Sequence, residues 1–227
     1  MMIERLSSPN FNDRRQPVSI LVMHYTGMET GAAAIERLCD AEAGVSAHYV
    51  VEEDGRVLQL VDEDKRAWHA GRGAWRGCED VNSASIGIEI VNGGHDYGLP
   101  PYPDAQIEAV LSLGLDIIQR WSIEPWNVIG HSDLAPERKA DPGERFPWRR
   151  LAEAGLGLWP GRAFAAPASG EIARLLAEIG YPLDPDDERS LAHAIAAFQR
   201  RFRPDAVSGR LDFETGALIK AVRALCP

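Results

Sequence analysis

The chain has 227 residues, 45% of them hydrophobic, enough for one large domain or a medium domain with a smaller one. Its net charge of -10 argues against a nucleic-acid partner, which is usually met by a basic face. No apolar run reaches the roughly 18 residues that a helical membrane span requires, and three scattered cysteines are too few for a disulfide framework. The first ten residues carry an early acid, Glu4, and no continuous apolar core. They do not read as an export signal, so a cytoplasmic location is expected.

Residues 18–24 form a buried strand, because apolar residues dominate and β-branched types recur. Thr30 caps a helix running to about Ala43 and ending near Gly44, with Ile35 and Leu38 on one side. Two strands follow, Ala47–Glu52 and Arg56–Val61, and the Asp54-Gly55 pair between them signals a hairpin. Residues 84–91 make another strand with Ile86, Ile88 and Ile90 on one face. Pro103 and Asp104 open a long amphipathic helix to about Trp121, and Trp126–Ile129 forms a short last strand. The stretch 155–170, rich in Gly, Pro and Ala, places a linker at 158–168. Helical patterns then occupy 170–179, 187–202 and 212–225, with Asp212 as a cap. The fold class is therefore α/β, with a mixed central sheet flanked by helices (1–157), followed by a small three-helix module (169–227).

The segment Gly130–Gly143 packs His131, Lys139 and Asp141 into one loop-like stretch behind an apolar run. His24, at the end of the first buried strand, brings a second imidazole. Two histidines and an aspartate make a three-ligand catalytic zinc site with an open position, though other divalent ions suit the same donors. Such a site lowers the pKa of bound water towards about 7. Lys139 stands two residues before Asp141, so in an extended segment both side chains point the same way, and its charge can steady a developing oxyanion. Glu89 alternates against the isoleucines of its strand, on the face of Gly87 and Val91. A carboxylate on a largely apolar strand is costly unless paired or functional, and desolvation suits it to proton transfer. The competing reading is a salt-bridged glutamate on a solvated edge strand.

Five motifs now stand in order: Met23-His24-Tyr25-Thr26, Ser46-Ala47-His48-Tyr49-Val50-Val51 with Asp54-Gly55, Trp68-His69-Ala70-Gly71, Ser85-Ile86-Gly87-Ile88-Glu89, and the segment 130–143. Together they make residues 18–150 resemble the zinc-dependent N-acetylmuramoyl-L-alanine amidases, which share a fold with peptidoglycan recognition proteins and a phage lysozyme. The resemblance implies zinc ligands at His24, His131 and Asp141, a catalytic carboxylate at Glu89 and a catalytic lysine at Lys139. Their reaction hydrolyses the amide between N-acetylmuramic acid, or its anhydro form, and L-alanine, so the implied partners are peptidoglycan fragments (muropeptides). Ala47 and Asp141 stand where the phage branch has tyrosine and cysteine, which points to the bacterial recycling and murein-trimming branch. Glu137 departs from the glycine usual after Ala-Pro in related sequences. Tyr25, His48, Trp68 and His69 are candidate substrate contacts from their motifs, with packing an equal alternative for the two histidines. His95 reads as a solvated loop residue and His193 as a helix residue without a ligand role.

Residues 169–227 resemble a peptidoglycan-binding module, through Ile179-Gly180-Tyr181, Ala196-Ala197-Phe198-Gln199-Arg200-Arg201-Phe202 and Ser208-Gly209-Arg210-Leu211-Asp212-Phe213-Glu214-Thr215. A purely structural appendage is the alternative. A wall-binding module also makes the periplasm the alternative to the cytoplasm. Two rival activities stay open: a non-catalytic muropeptide receptor, and a zinc peptidase cutting within the stem peptide.

Overall fold

The computed structural model describes residues 2–161 and 165–227. Residues 162–164, which fall in the expected linker, lie outside the described residues. The strands are β1 (Ile3–Arg5), β2 (Phe11–Asp13), β3 (Ile20–Tyr25), β4 (Tyr49–Val51), β5 (Val57–Gln59), β6 (Lys65–Ala67), β7 (Ser85–Ile90) and β8 (Val128–Gly130). The α-helices are α1 (Gly31–Cys39), α2 (Val81–Ala84), α3 (Asp104–Trp121), α4 (His131–Leu134), α5 (Trp148–Glu153), α6 (Ile172–Ile179), α7 (Glu188–Phe202) and α8 (Phe213–Arg223).

Six strands form a mixed sheet in the order β1-β5-β4-β7-β3-β8, and β2 pairs with β6 separately. β3 is parallel to both β7 and β8, while β4 and β5 form the antiparallel hairpin expected from Asp54-Gly55. Gly55 takes a φ of 86°, and a Cβ there would stand 2.8 Å from the Ala105 carbonyl, so the turn requires glycine. This is the mixed α/β architecture expected, with helices on both faces.

The period of two decides which face each strand residue meets. Leu21 and Met23, with Ile86, Ile88 and Ile90, join one continuous core with Ile107, Val110, Leu113 and Ile117 of α3. The isoleucine row is wholly buried. On the other face Ile20, Val22 and Ile129 share a core with Leu176 and Ile179 of α6, Phe198 of α7 and Ile219 of α8. The last three helices therefore close the sheet's second face, and Leu176, Phe198 and Ile219 are fully buried there. Each such side chain contributes roughly 1.5–3 kcal/mol by leaving water. Trp159, inside the expected linker, packs on Phe202 with ring centroids 5.6 Å apart.

Several expected elements differ in extent. The helix from Thr30 ends at Cys39, because Asp40 turns to an extended backbone and caps a separate 3-10 turn at Ala41–Ala43. Thr30 does cap α1, its hydroxyl accepting from Ala33 N at 3.2 Å. Pro125–Asn127 form a 3-10 turn, so the strand expected from Trp126 begins at Val128. Asp212 caps α8 by accepting from Thr215 N at 2.9 Å.

Candidate active site

The site stands at the carboxyl ends of the parallel strands, where open α/β sheets present ligands. His24 is the fifth residue of β3 and Glu89 the fifth of β7, and the parallel register makes them direct neighbours. His131 follows the end of β8 as the first residue of α4. Asp141 is carried to the same point by the turn after α4, where Ser132 N donates to the Asp141 carbonyl at 2.9 Å.

Three donor atoms converge. His24 Nδ1 lies 2.9 Å from His131 Nδ1 and 3.0 Å from Asp141 Oδ2, and His131 Nδ1 lies 3.0 Å from the same oxygen. All three residues are buried. Burial and the neighbouring His131 push the His24 imidazole down to about 4, so it is neutral at pH 7.

The ring nitrogens facing away fix the tautomers. The Ser85 hydroxyl donates to the Val81 carbonyl at 2.6 Å, so at 3.1 Å it accepts from His69 Nε2–H. His69 Nδ1 is then the acceptor for His24 Nε2–H at 3.0 Å, which leaves the His24 Nδ1 lone pair free. His131 Nε2–H donates to the Ala70 carbonyl at 2.9 Å, freeing its Nδ1 in the same way. Asn82 Oδ1 holds this loop by accepting from His69 N at 3.0 Å and Ala70 N at 2.8 Å. Three lone pairs facing one point with no proton between them repel, and a shared cation relieves that repulsion. His24, His131 and Asp141 are thus a possible metal site.

A groove of about 590 Å³ opens over the triad, lined by Tyr25, Trp68, Glu89, His95, Arg138 and Lys139 among others. Glu89 is half-buried, but its Oε2 is occluded and has no hydrogen-bond partner. Burial first, and Asp141 second, raise its carboxyl well above the ordinary range. No salt bridge reaches it among the described residues, contrary to the solvated-edge reading. β7 lies between β4 and β3 rather than at an edge.

The four candidate substrate contacts divide. Tyr25 and Trp68 line the groove. His48 does not reach it: the residue is fully buried, its Nδ1 accepts from Gly87 N at 2.9 Å, and its Nε2 lies 3.0 Å from the Lys65 carbonyl. His69 forms part of the groove wall, yet both its nitrogens are engaged with His24 and Ser85, leaving none for a ligand. His95 is exposed, as its loop setting implies, but it is also held in place. Its Nδ1 lies 2.9 Å from the Tyr25 hydroxyl and its Nε2 3.0 Å from Glu144 Oε2, which pins it at the groove's rim. Arg138, unremarked in its sequence context, donates to the Ala70 carbonyl at 2.7 Å and lines the groove. His193 is an exposed residue of α7.

A mixed α/β sheet with a possible metal triad, a half-buried carboxylate and a lysine in one groove is the frame of a hydrolase. The model of the N-acetylmuramoyl-L-alanine amidase family matches residues 14–144. The N-acetylmuramoyl-L-alanine amidase AmiD of Escherichia coli is 40% identical over 90% of this chain and 82% of its own. A solved complex of that amidase with anhydro-N-acetylmuramic acid-L-Ala-D-gamma-Glu-L-Lys superposes with a TM-score of 0.83 at 37% identity, covering 95% of this chain and 98% of the other. AmpDh3 of Pseudomonas aeruginosa, solved with anhydromuramic pentapeptide, gives 0.85 at 35% identity, covering 92% of each chain. The chain belongs to the N-acetylmuramoyl-L-alanine amidase family. It is an enzyme that hydrolyses the amide between N-acetylmuramic acid and L-alanine.

Proposed function

We propose that this amidase is zinc-dependent, that His24, His131 and Asp141 hold the ion, and that muropeptides, anhydro forms included, lie in the groove above it. The observation that carries the reading is the convergence of three buried donor atoms within 3.0 Å of one another. Two imidazoles and one carboxylate suit catalytic zinc, with a position left open for water or substrate. When bound, zinc supplies Lewis acidity to the scissile carbonyl and to the attacking water.

The protein's own groups do the rest. Glu89, next to His24 across the β3–β7 register and lining the groove, takes the proton of the attacking water on its carboxyl and delivers it to the leaving amine of L-alanine. Its raised carboxyl pKa brings the group nearer working pH, which favours transfer in both directions. Lys139 sets its ammonium on the groove wall with Asp141 and offsets the negative charge that grows on the carbonyl oxygen. The Ser85–His69 pair keeps His24 in one tautomer and orientation, as partners behind metal ligands commonly do. Tyr25 and Trp68 offer aromatic faces to the sugar and peptide, and Tyr25 is braced by His95 and Glu144.

The helices of 169–227 are proposed to lengthen the groove towards a longer glycan. A second cavity of about 430 Å³ supports this: Arg72 and Gly73 form one side, Pro182, Leu183 and Asp184 the other, and Arg138 adjoins both cavities.

Zinc content measured by elemental mass spectrometry tests the reading. One zinc per chain is expected for the native protein, and His24→Ala and Asp141→Ala should each lose it. Stoichiometric zinc with no amidase turnover on muropeptides, even after zinc is added, would favour the receptor reading instead.

A further inference from the structure

Asp133 lies two residues beyond His131, on the one-turn helix α4, and is 1% exposed. Its two carboxylate oxygens are shared among three donors. Oδ2 accepts from Gly130 N at 2.9 Å, which caps α4 from inside, and from Arg201 Nη1 at 3.2 Å. Oδ1 accepts from the Tyr181 hydroxyl at 2.8 Å. Tyr181 and Arg201 belong to the last three-helix segment, and both are buried. Arg201 also stacks 4.3 Å above the Trp148 ring.

The same seam grips the loop that holds the other end of His131. Tyr181 meets Trp75 edge-on with centroids 5.4 Å apart, Arg76 N donates to the Gly180 carbonyl at 3.0 Å, and Arg76 Nη1 donates to the Ile179 carbonyl at 2.9 Å. That loop begins at Ala70, whose carbonyl accepts from His131 Nε2–H. A buried ion pair contributes little net stability compared with apolar packing, and its best-attested use is to fix one arrangement. Here the arrangement it fixes is the backbone that presents a metal donor.

We infer that Tyr181 and Arg201 are positioning residues for the metal site: through Asp133 they set the cap of α4 and so aim His131 Nδ1 at the point shared with His24 and Asp141. The inference rests on the zinc reading above. It makes the three-helix segment part of the scaffold of the metal centre, whatever glycan it also meets.

The test uses the full chain, with zinc affinity read by chelator competition and ligand geometry by the visible spectrum of the cobalt-substituted protein. Tyr181→Phe should weaken zinc binding about tenfold, the low end of the loss usual for groups that orient metal ligands, and should shift the cobalt bands. The double variant Asp133→Asn/Arg201→Met removes both charges together, leaves no orphaned ion, and should do the same. Ile219→Ala, a packing change in the same helices, should lower the melting temperature without moving either metal readout. With native zinc binding intact, wild-type affinity and cobalt spectra in both Asp133-network variants would overturn the inference. So would variants that have lost native near-ultraviolet dichroism before metal is added, since the pair would then be structural alone. A native chain that takes up no zinc would instead sink the preceding reading.

Discussion

Gly87→Ala should damage the metal site from beneath. A Cβ at this position would stand 2.5 Å from His69 Cγ and 2.6 Å from its Nδ1. Carbon atoms settle at about 3.5–4.0 Å, so the ring must retreat by roughly 1 Å. It is tethered at both nitrogens, to His24 at 3.0 Å and Ser85 at 3.1 Å. A retreat of that size stretches one bond past the usual limit of about 3.2 Å. Leaving His24 Nε2–H buried and unpaired costs about 1–3 kcal/mol, and losing the group that orients a ligand weakens metal binding about 10–100-fold. Chelator competition measures the zinc affinity, and turnover of a muramoyl tripeptide measures the rate. Both should fall while circular dichroism stays native. A Gly87→Ala enzyme with native zinc affinity and native turnover would refute the account of the Ser85–His69–His24 chain.

Glu89→Gln should keep the metal and lose about 10²–10⁴-fold in kcat, the usual worth of a general acid–base group, so a fully active variant removes Glu89 from the mechanism. Lys139→Met should leave zinc content unchanged and cost roughly 2.7–4 kcal/mol of transition-state stabilisation, read as kcat/KM; an unchanged value denies it the oxyanion role. His48 carries a pH signature, because burial first and Arg14 second push its imidazole down to about 3. The unfolded chain then binds a proton that the folded one refuses. Its contribution is present above the unfolded pKa of about 6.5 and is lost as pH falls towards the folded value, by about 1.4 kcal/mol per unit. Urea unfolding of the native chain between pH 7 and 4.5 should show a fall at least that steep, since His24 is depressed too, and His48→Asn should lessen it; equal slopes in both would contradict it.

Much of this was legible before folding, for identifiable reasons. The alternation of Ile86, Ile88 and Ile90 against Glu89 marked both the buried face and the odd carboxylate. Asp54-Gly55 marked the hairpin, since only a glycine fits the turn that forms. His24, His131 and Asp141 came from motif order more than from spacing, because nine residues between ligands is no helical or strand repeat. What escaped was short or long-range. β1, β2 and β6 have three residues each, too few for a period of two to show. α2 and α4 are single turns whose ends are set by Asp80 and Asp133 side chains rather than by an apolar stripe. His48 sits in a motif, and only the close pairing of β4 with β7 turns it inward, onto Gly87 N. Asp133 meets Tyr181 and Arg201 across 48 and 68 residues, a contact no local pattern announces.

The most direct test of the whole account is mass spectrometry of muropeptides digested by the full chain, with zinc present and after the metal is stripped. Zinc-loaded enzyme should release the intact stem peptide from the sugar, and stripped enzyme should release none until zinc is restored. Shortened stems still attached to muramic acid, or unchanged cleavage by the stripped enzyme, would contradict a zinc-dependent amidase built on His24, His131 and Asp141.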